Sequence, residues 1–509
     1  MSLKNDSIEV SDPEEQLKVY NPDGTTITYD AEARHDRFKK KKTISDMFTI
    51  LCCGVALMSD GYQNNLMTML NAVFTKQYPD TYDSTLKTRV SNALLVGEIL
   101  GQISIGLTCD YMGRKWAIVA TTVLIVVGSI LACAAHGETT LGMFWMFLVM
   151  RGAIGVGVGG EYSACSSASS ESANEATKRR GGVFVMITNL PLSLGGPIAI
   201  SIFLIVYSAA GGDHLNTVWR VCTGLGAVWP LIIFWFRFKM AASIMYKKSH
   251  IKKDVPYPLV FKYYWRRLLG TCGCWFIYDF VTFPNGIFSS TIIASVLGDS
   301  KSDIKKVAEW TLLLGWLSIP GVLIGAATVD KIGRKWSLII GYSGYLVIGL
   351  VIGCGFNKIQ ETSTGLFIFL FALFNSFGNF GPGNNMGLTS SECYATPVRG
   401  TLYGLSAALG KTGAAVGTQA FTAIQNNLGP QQWTFIISAI LGSVGVVLAY
   451  FTIPHLKDED LMVEDIKFEK YLRDNGWQGK FGNDESSSDE ETSSIGKVEF
   501  ENVVASDKK

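Results

Sequence analysis

The sequence holds a short polar stretch, Asp110-Tyr111-Met112-Gly113-Arg114-Lys115-Trp116, that returns as Asp330-Lys331-Ile332-Gly333-Arg334-Lys335-Trp336. Each copy lies between two long apolar runs. This predicts a turn between two membrane helices, in which glycine allows a tight backbone and the cations stay at the lipid surface. Because the copies occupy matching places in the two halves, the chain is an internal repeat. We expect their charges to hold helix ends in one gating state and not to touch substrate.

The composition is typical of a membrane protein. Of the 509 residues, 48% are hydrophobic and 17% are charged, and the mean hydropathy is +0.25. The ten cysteines lie mostly in apolar runs and the five histidines form no cluster, so we expect no disulfide framework and no metal site. No motif of a catalytic nucleophile or a phosphate-binding loop occurs. We therefore expect a protein that is not an enzyme, with no cofactor and no nucleic-acid partner.

Twelve apolar segments follow the polar N-terminal arm, and most are long enough for an α-helix that crosses roughly 30 Å of hydrocarbon. The two series of six lie near residues 44–73, 90–107, 116–135, 141–165, 181–210 and 218–238, and near 268–297, 310–329, 337–356, 364–388, 400–424 and 433–453. The prediction is an all-α membrane protein with 12 transmembrane helices in two six-helix bundles, residues 44–238 and 268–453.

Basic residues set the expected orientation in the bilayer. The linker 239–267 is rich in lysine and arginine, with Asp254 as its single acid, which places it in the cytosol. The N-terminal arm, residues 1–43, ends in a lysine run and lies on the same side. An even number of spans then puts the C-terminus there too. The tail, residues 454–509, is acidic and too polar to bury a core, so we expect it to be disordered.

Six ionisable side chains remain inside the apolar segments or at their ends, where each costs roughly 2.5–3.5 kcal/mol at mid-membrane and is a functional candidate. Three of the acids, Asp60, Glu161 and Asp279, are candidates for proton coupling, because a buried carboxylate can take up and release a proton. The alternative is that each is a permanently paired structural ion. We expect Glu392, beside the Arg399 turn, to join an interhelical charge network at the cytosolic face.

The two remaining charges are basic. Lys411 is an amine at mid-depth, flanked by Gly410 and Gly413, and it suits an anionic substrate such as a phosphate. The alternative is a pair with a buried carboxylate. Arg151 begins the glycine-rich run to Gly160, where it either serves the substrate likewise or braces helix packing.

Two helices are predicted to present polar groups at a break. Trp275, Asp279 and Phe283 are four residues apart and so share one helix face, just before the break Pro284-Asn285-Gly286. A second break, which begins at Asn379 and runs through Pro382 to Asn385, offers amides for hydroxyl groups. Transporter sites commonly lie at such breaks near the midplane.

These motifs resemble the phosphate:proton symporter branch of the major facilitator superfamily, over both halves of the chain. The resembling stretches are the turns counted from Gly106 and Gly325, Asp60-Gly61-Tyr62, Gly159-Gly160-Glu161-Tyr162, Trp275-x3-Asp279, Asn379-Phe380-Gly381-Pro382, Glu392-Cys393-Tyr394 and Gly410-Lys411. The resemblance implies proton and substrate roles for Asp60, Glu161, Tyr162, Trp275, Asp279 and Lys411.

Several positions depart from that branch. Gln63 stands where phosphate carriers have a second aspartate, and Glu161 where aspartate is usual. Phe283 replaces a tyrosine, and Gly383 replaces an asparagine that contacts substrate. The loss of polar groups and bulk at Phe283 and Gly383 suggests a ligand larger than inorganic phosphate.

The chain is more similar still to fungal glycerophosphodiester permeases, over runs such as Ile44 to Phe74, Thr188-Asn189-Leu190-Pro191, Asp279 to Ser290 and Tyr403 to Ala407. That resemblance implies import of glycerophosphoinositol or glycerophosphocholine with protons. We expect a multi-pass, monomeric protein of the plasma membrane with both termini cytosolic. The alternatives are an inorganic phosphate:proton symporter and a nutrient-sensing, transporter-like receptor.

In the expected site, Lys411 holds the phosphodiester with help from Arg151, and Asn189, Asn379 and Asn384 meet glycerol or head-group hydroxyls. If the head group is choline, the rings of Trp275, Tyr162 and Phe283 enclose its cation through cation–π contacts. Residue composition does not decide between inositol and choline, and it gives neither stoichiometry nor affinity.

Overall fold

A computed structural model describes residues 17–20, 26–29, 44–112, 114–176, 180–237, 255–297, 303–428, 431–456 and 461–479. The helices lie in one compact unit, Thr43–Gly482. Within the N-terminal arm, β1 (Leu17–Tyr20) and β2 (Thr26–Tyr29) pair antiparallel, with Leu17 opposite Tyr29. The rest of that arm, the linker residues 238–254 and the acidic stretch from residue 480 lie outside the described residues.

Within its described residues, the N-terminal half contains eight helices. They are α1 (Ile44–Gln77), α2 (Ser84–Met112), α3 (Arg114–Cys133), α4 (Thr140–Ala176), α5 (Arg180–Ile187), α6 (Asn189–Ala209), α7 (Leu215–Leu225) and α8 (Val228–Arg237). Two spans are interrupted. The fifth divides at Thr188, and the sixth divides between α7 and α8.

The C-terminal half repeats this arrangement. It contains α9 (Tyr257–Ile287), α10 (Ser289–Val296), α11 (Ile304–Ile332), α12 (Arg334–Thr362), α13 (Thr364–Gly378), α14 (Asn384–Glu392), α15 (Thr396–Leu428) and α16 (Gln432–Thr452), followed by α17 (Leu461–Asp474). A single π-helical turn, Asn379–Gly383, joins α13 to α14. Across the described residues, α1–α16 account for the twelve predicted spans.

Apolar composition explains why these helices cross a membrane. Eight helical segments in the described part of the chain are long and apolar enough to do so by length and composition alone. Large apolar side chains stay exposed on their outer faces, as lipid contact requires. Examples are Leu100, Val127, Val149, Ile205, Phe369 and Val447.

The second copy of the repeated turn has the predicted geometry. Gly333 separates α11 from α12 with φ = 86°, a conformation that L side chains rarely adopt. The first predicted break is displaced by about two residues: Pro284 lies inside α9, which ends at Ile287, and α10 begins at Ser289. The second differs from expectation, because the polar run from Asn379 is a π-helical turn that keeps the helix continuous.

Two segments outside the predicted spans are helical. The linker was expected to extend to residue 267, but α9 already begins at Tyr257. The tail was expected to be disordered from residue 454, but residues 461–474 form α17. Phe468 and Leu472 of α17 are fully buried, because its apolar face packs under the C-terminal half. Charged residues dominate the composition of this segment, so composition alone predicted disorder and not an amphipathic helix.

Helix α17 is also fixed by polar contacts. The carboxylate of Asp465 accepts hydrogen bonds from the amide of Thr396 at 2.6 Å and from its hydroxyl at 2.8 Å, which satisfies the start of α15. Glu464 lies 2.7 Å from the Arg267 guanidinium and accepts a hydrogen bond from the Tyr264 hydroxyl at 2.9 Å. Glu464 raises the pKa of Arg267, whose positive charge it stabilises.

The two halves meet along two helix pairs, α2 with α15 and α6 with α11. Small residues bring the first pair together. A Cβ added to Gly404 would lie 2.5 Å from the Gln102 carbonyl oxygen and 3.0 Å from the Gly106 Cα, so only glycine fits there. The close packing of α2 against α15 thus joins the halves along one side of their interface, and a cavity lies beside it.

Candidate functional site

A cavity of about 210 Å³ with apolar walls and several polar side chains lies between the two halves. Both halves supply its lining, mainly from α1 and α6 on one side and from α9, α11 and the α13–α14 span on the other. Seven predicted site residues line it: Tyr162, Asn189, Trp275, Asp279, Phe283, Asn379 and Lys411. The structure therefore brings together residues that are as much as 249 positions apart in sequence, from Tyr162 to Lys411.

The amine of Lys411 forms an ion pair with a carboxylate that sequence analysis missed. Its Nζ lies 2.7 Å from Oε2 of Glu98, a residue of α2, and both side chains are buried. The amine also lies 3.9 Å from the ring centre of Phe283, in a cation–π contact. The alternative of a pair with a buried carboxylate thus describes Lys411 in this conformation.

A short polar chain links this ion pair to Asp60. The side-chain amide of Asn64 donates to Oε1 of Glu98 at 2.8 Å and to Oδ1 of Asp60 at 2.6 Å. Asn64 lines the cavity, whereas Asp60 and Glu98 are buried one step behind the lining. Lys411 interacts electrostatically with Glu98, Asp60 and Asp279. One cation and three carboxylates therefore form a single charged cluster.

Asp279 reaches the cavity from the opposite half. It lies on the α9 face that it shares with Trp275 and Phe283, and all three line the cavity, as their spacing predicted. Its side chain is buried, and its Oδ2 has no hydrogen-bond partner among the described residues. Asp279 thus places an acidic group with a free acceptor oxygen at the cavity surface.

An aromatic cluster borders the cavity. The rings of Trp275 and Tyr403 meet edge to face at 5.5 Å, and Tyr162 lies 6.1 Å from each of them. Gly410 makes room for the indole, because a Cβ at that position would lie 2.4 Å from Trp275 Cδ1. The glycine beside Lys411 is thus needed to seat an aromatic wall and not only to bend the helix.

The three predicted amides have different positions. Asn379 lines the cavity and donates to the Ser318 carbonyl at 3.0 Å. Asn189 also lines it, but its amide donates to Oδ1 of Asn384 at 2.6 Å across the two halves. Asn384 is not among the lining residues, and its own amide donates to the Val322 carbonyl at 3.0 Å. In this conformation Asn384 thus reaches the cavity only through its hydrogen bond with Asn189, and its contact with substrate stays a prediction.

Two predicted charges lie away from the cavity. Arg151 is buried in α4, where its guanidinium donates to the Gln63 carbonyl at 3.4 Å, and it does not line the cavity. Glu161 is buried beside Tyr162 and is likewise not a lining residue. The bracing alternative suits Arg151, because both charges face the interior of the N-terminal half.

Glu98 met the criterion used for the other buried charges, since it lies in the predicted apolar segment 90–107. The signal for a functional candidate is an ionisable group inside an apolar run. Glu98 fits it but is not among the six candidates named above. Asn64 carried no such signal. Neutral amides are common in helices, and only its contact with two carboxylates identifies its role.

Beyond one end of the cavity, Glu392 links the two halves. It accepts from Arg180 Nε at 2.9 Å and from Arg334 Nε and Nη2 at 2.8 and 2.9 Å. Asp330 lies 3.2 Å from Arg334 and accepts from the amides of Gly181 and Gly182 at the start of α5. The predicted charge network at Glu392 is confirmed. The side chains of the first turn copy, residues 109–115, lie outside the described part.

Hydroxyl groups connect the halves beyond the other end of the cavity. The Thr68 hydroxyl lies 3.1 Å from the Ser289 hydroxyl and accepts from the Ser290 amide at 3.1 Å. The Ser290 hydroxyl donates to the Thr68 carbonyl at 2.7 Å. Contacts between the halves thus occur on both sides of the central cavity. Two helical halves around a central cavity, in contact on both sides of it, are the arrangement typical of a secondary membrane transporter.

Comparison with known proteins gives the particular family. The profile described as "Sugar (and other) transporter" matches residues 47–254 and again 241–468. Glycerophosphoinositol permease 1 of Candida albicans is 55% identical, over 91% of this chain and 89% of its own length. Glycerophosphoinositol transporter 1 of Saccharomyces cerevisiae is 51% identical, over 94% and 93%. The chain belongs to the sugar (and other) transporter family of the major facilitator superfamily, and it is a transporter and not an enzyme.

A solved structure agrees with the fold. The proton:xylose symporter XylE bound to 6-bromo-6-deoxy-D-glucose superposes with a TM-score of 0.70 at 15% identity, over 83% of this chain and 98% of that one. The prediction of a twelve-helix major facilitator fold is confirmed. At this identity the likeness concerns the fold alone.

Proposed function

We propose that this transporter imports glycerophosphodiesters, with glycerophosphoinositol as the principal substrate, together with protons. The observation that carries the proposal is the Lys411 amine at the cavity surface, held by Glu98 and coupled through Asn64 to Asp60. A phosphodiester is a monoanion that can replace the Glu98 carboxylate as the partner of that amine. Both relatives described above are named for glycerophosphoinositol.

Charge balance supports the coupling to protons. When an anion binds Lys411, the displaced Glu98 carboxylate and the nearby Asp60 and Asp279 repel it through a medium of low dielectric constant. Protonation of these acids removes the repulsion, so substrate and proton bind more tightly together than apart. Asp60, Glu98 and Asp279 are the proposed proton carriers. Glu161 is a further candidate carrier, because it is buried and interacts electrostatically with Asp60.

The lining suits a polyol head group. The lining includes five asparagines and four hydroxyl residues: Asn64, Asn65, Asn189, Asn375, Asn379, Thr68, Ser193, Thr282 and Thr311. Such groups hydrogen-bond hydroxyls of glycerol and inositol, and a site built for hydroxyls rejects analogues that lack them. A Cβ at Gly383 would lie 2.7 Å from the Tyr278 hydroxyl, so the glycine keeps space that a larger side chain would fill.

We place the protein in the plasma membrane with both termini in the cytosol. The basic linker 239–267 supports this orientation, because lysine and arginine are retained on the cytosolic side. In that orientation the Glu392 network lies at the cytosolic end and the Thr68 contacts lie at the extracellular end. We expect a monomer, because each half finds its partner within the same chain.

Uptake in cells that lack endogenous transporters tests the proposal. Radiolabelled glycerophosphoinositol, glycerophosphocholine and inorganic phosphate are offered separately, with and without a protonophore. We expect glycerophosphoinositol to accumulate, the protonophore to abolish accumulation, and Lys411→Ala to abolish uptake. The matched control is Lys305→Ala, which removes an exposed lysine at the start of α11.

Each other outcome has a meaning. Uptake of phosphate alone, competed by no diester, would reassign the substrate. Uptake that withstands the protonophore would remove the proton from the mechanism. If none of the three compounds is taken up although the protein is present at the cell surface, a sensing role is favoured over transport.

A further inference from the structure

A second cavity, of about 370 Å³, lies between the halves beyond the Thr68 contacts. The ends of α1 and α2 line it on one side, and α10 and the start of α11 line it on the other. Its lining residues are Asn71, Ala72, Thr75, Lys76, Lys87, Ser290, Thr291, Ala294, Ile304 and Val307. We call this space the outer vestibule.

Only one layer of side chains separates the outer vestibule from the central cavity. Thr68 and Ser289 line the central cavity, and the next residue, Ser290, lines the vestibule. The hydrogen bonds between Thr68 and the two serines form the partition. A ligand in the vestibule therefore lies directly outside the contacts that must break for it to reach Lys411.

The charge of the vestibule is positive. Lys76 and Lys87 line it, and no carboxylate occurs among its described lining residues. The Lys87 amine donates to the Thr291 hydroxyl at 2.9 Å and lies 5.5 Å from the ring centre of Phe288. Within the described part of the chain, no carboxylate lies within 4.0 Å of either lysine.

The Lys87 contact joins the halves without neutralising the cation. Lys87 belongs to α2, whereas Thr291 belongs to α10 of the other half. An ammonium has three donors, and a neutral hydroxyl is a weaker partner than an anion. Half-buried Lys87 therefore keeps the capacity to bind a phosphate group at the mouth of the transporter.

We propose that the outer vestibule is an anion-binding staging site, in which Lys87 and Lys76 hold the phosphodiester before it reaches the central cavity. The inference rests on the proposed function for the identity of that anion. The bound phosphate takes the Lys87 amine from Thr291, which removes one contact between the halves. Binding at the vestibule and loosening of the partition beside it are thus one event.

Transport kinetics give the first test. Lys87→Gln and Lys76→Gln replace the ammonium with a neutral amide on a side chain that is one atom shorter, so the charge is removed and a polar group is kept. We expect the KM for glycerophosphoinositol to rise roughly tenfold in Lys87→Gln, the value of one charge-assisted hydrogen bond. We also expect the KM of the unaltered protein to rise with ionic strength, and this dependence to flatten in the double variant.

Thr291→Val separates anion binding from bracing. It removes the hydrogen bond between the halves but leaves the Lys87 cation in place. The staging site predicts an unchanged or lower KM in Thr291→Val. A rise equal to that of Lys87→Gln, with no dependence on salt in either variant, would show that the pair only braces the halves and would overturn the proposal.

Chemical labelling gives a second test that needs no transport. Ala294 is half-buried in the vestibule wall, so Ala294→Cys reports the local charge through its rates with an anionic and a cationic methanethiosulfonate added from outside. The unsubstituted chain supplies the background from native cysteines. We expect the anionic reagent to be favoured, Lys87→Gln to remove that preference, and glycerophosphoinositol to slow labelling more than inorganic phosphate does.

The two tests distinguish the two proposals. Anion preference at Ala294→Cys without uptake of any diester would support the vestibule and refute the proposed substrate. Uptake of the diester with no anion preference, and with the KM of Lys87→Gln unchanged, would refute the vestibule and leave the proposed function intact. Equal slowing of labelling by phosphate and diester would mean that the site reads the phosphate group and not the head group.

Discussion

Glu98→Gln is the most informative single substitution in the central site. The change preserves the volume of the side chain and an oxygen that accepts from Asn64, but it removes the charge that faces Lys411 at 2.7 Å. We expect it to separate substrate binding from proton coupling. An anion would bind more readily, while the proton gradient would drive little accumulation.

The magnitude follows from the buried ion pair. At the observed 2.7 Å and an effective dielectric constant of about 20, the Coulomb attraction is about 6 kcal/mol, and desolvation of both groups offsets most of it. In Glu98→Gln, the carboxylates of Asp60 and Asp279 still attract the Lys411 amine and replace part of the lost Coulomb attraction. A residual gain of about 1.4 kcal/mol for an incoming anion corresponds to a dissociation constant roughly tenfold lower.

Purified protein gives the assay. Binding of radiolabelled glycerophosphoinositol is measured in detergent, and counterflow and proton-driven uptake are measured in liposomes. We expect Glu98→Gln to bind about tenfold more tightly, to support counterflow, and to lose accumulation. Glu309→Gln alters an exposed glutamate of α11 and is the matched control.

Two results would refute this reasoning. Unchanged or weaker binding in Glu98→Gln would mean that the carboxylate does not compete with substrate for Lys411. Full proton-driven accumulation by this variant would show that Glu98 carries no coupled proton. Lys411→Ala, by contrast, is expected to lose both binding and counterflow.

Three further substitutions test the structure elsewhere. Glu392→Gln removes the carboxylate that the buried guanidinium groups of Arg180 and Arg334 share, although Arg334 keeps its ion pair with Asp330. We expect a stability loss of about 3 kcal/mol in thermal unfolding with greater labelling from the cytosolic side; unchanged stability would contradict the network. Gly410→Ala forces the adjacent Trp275 indole to move and should abolish uptake, whereas Gly365→Ala, at the exposed start of α13 with only Ser363 Oγ at 3.5 Å from the added Cβ, should retain it; equal uptake in both would contradict the aromatic wall. Asp465→Ala removes the carboxylate that accepts hydrogen bonds from Thr396 at the start of α15, and it should destabilise the protein by about 0.5–2 kcal/mol. Substitution of the exposed Glu469 by alanine should not. Equal melting temperatures of the two variants would show that the contact between α17 and α15 does not stabilise the fold.

Much of the architecture is readable from local sequence. Apolar runs of sufficient length must be helices in lipid, because only a helix satisfies its own backbone hydrogen bonds there. The repeated turn divides the chain into halves, and a spacing of four places Trp275, Asp279 and Phe283 on one face, as observed. These features depend on residues a few positions apart, so one chain segment suffices to predict them.

Composition misjudged the ends of the helices and the tail. Helix α9 begins at Tyr257, because apolar side chains such as Val260 pack against α17 although Lys262, Arg266 and Arg267 break up the apolar run there. The α17 segment carries an apolar stripe among charges, and its stability comes from packing under the C-terminal half. Neither helix propensity nor the number of charged residues predicts that contact.

The site itself required the tertiary structure. The sequence by itself determined a transporter with two six-helix halves, and it identified Lys411 and Asp279 as buried charges that need an explanation. It did not determine that Glu98 meets Lys411, or that Asn384 points to Asn189 and away from the cavity. The rotation of each helix about its own axis decides these contacts. That rotation is set by close packing between helices distant in sequence, such as α2 against α15, and not by any pattern within one of them.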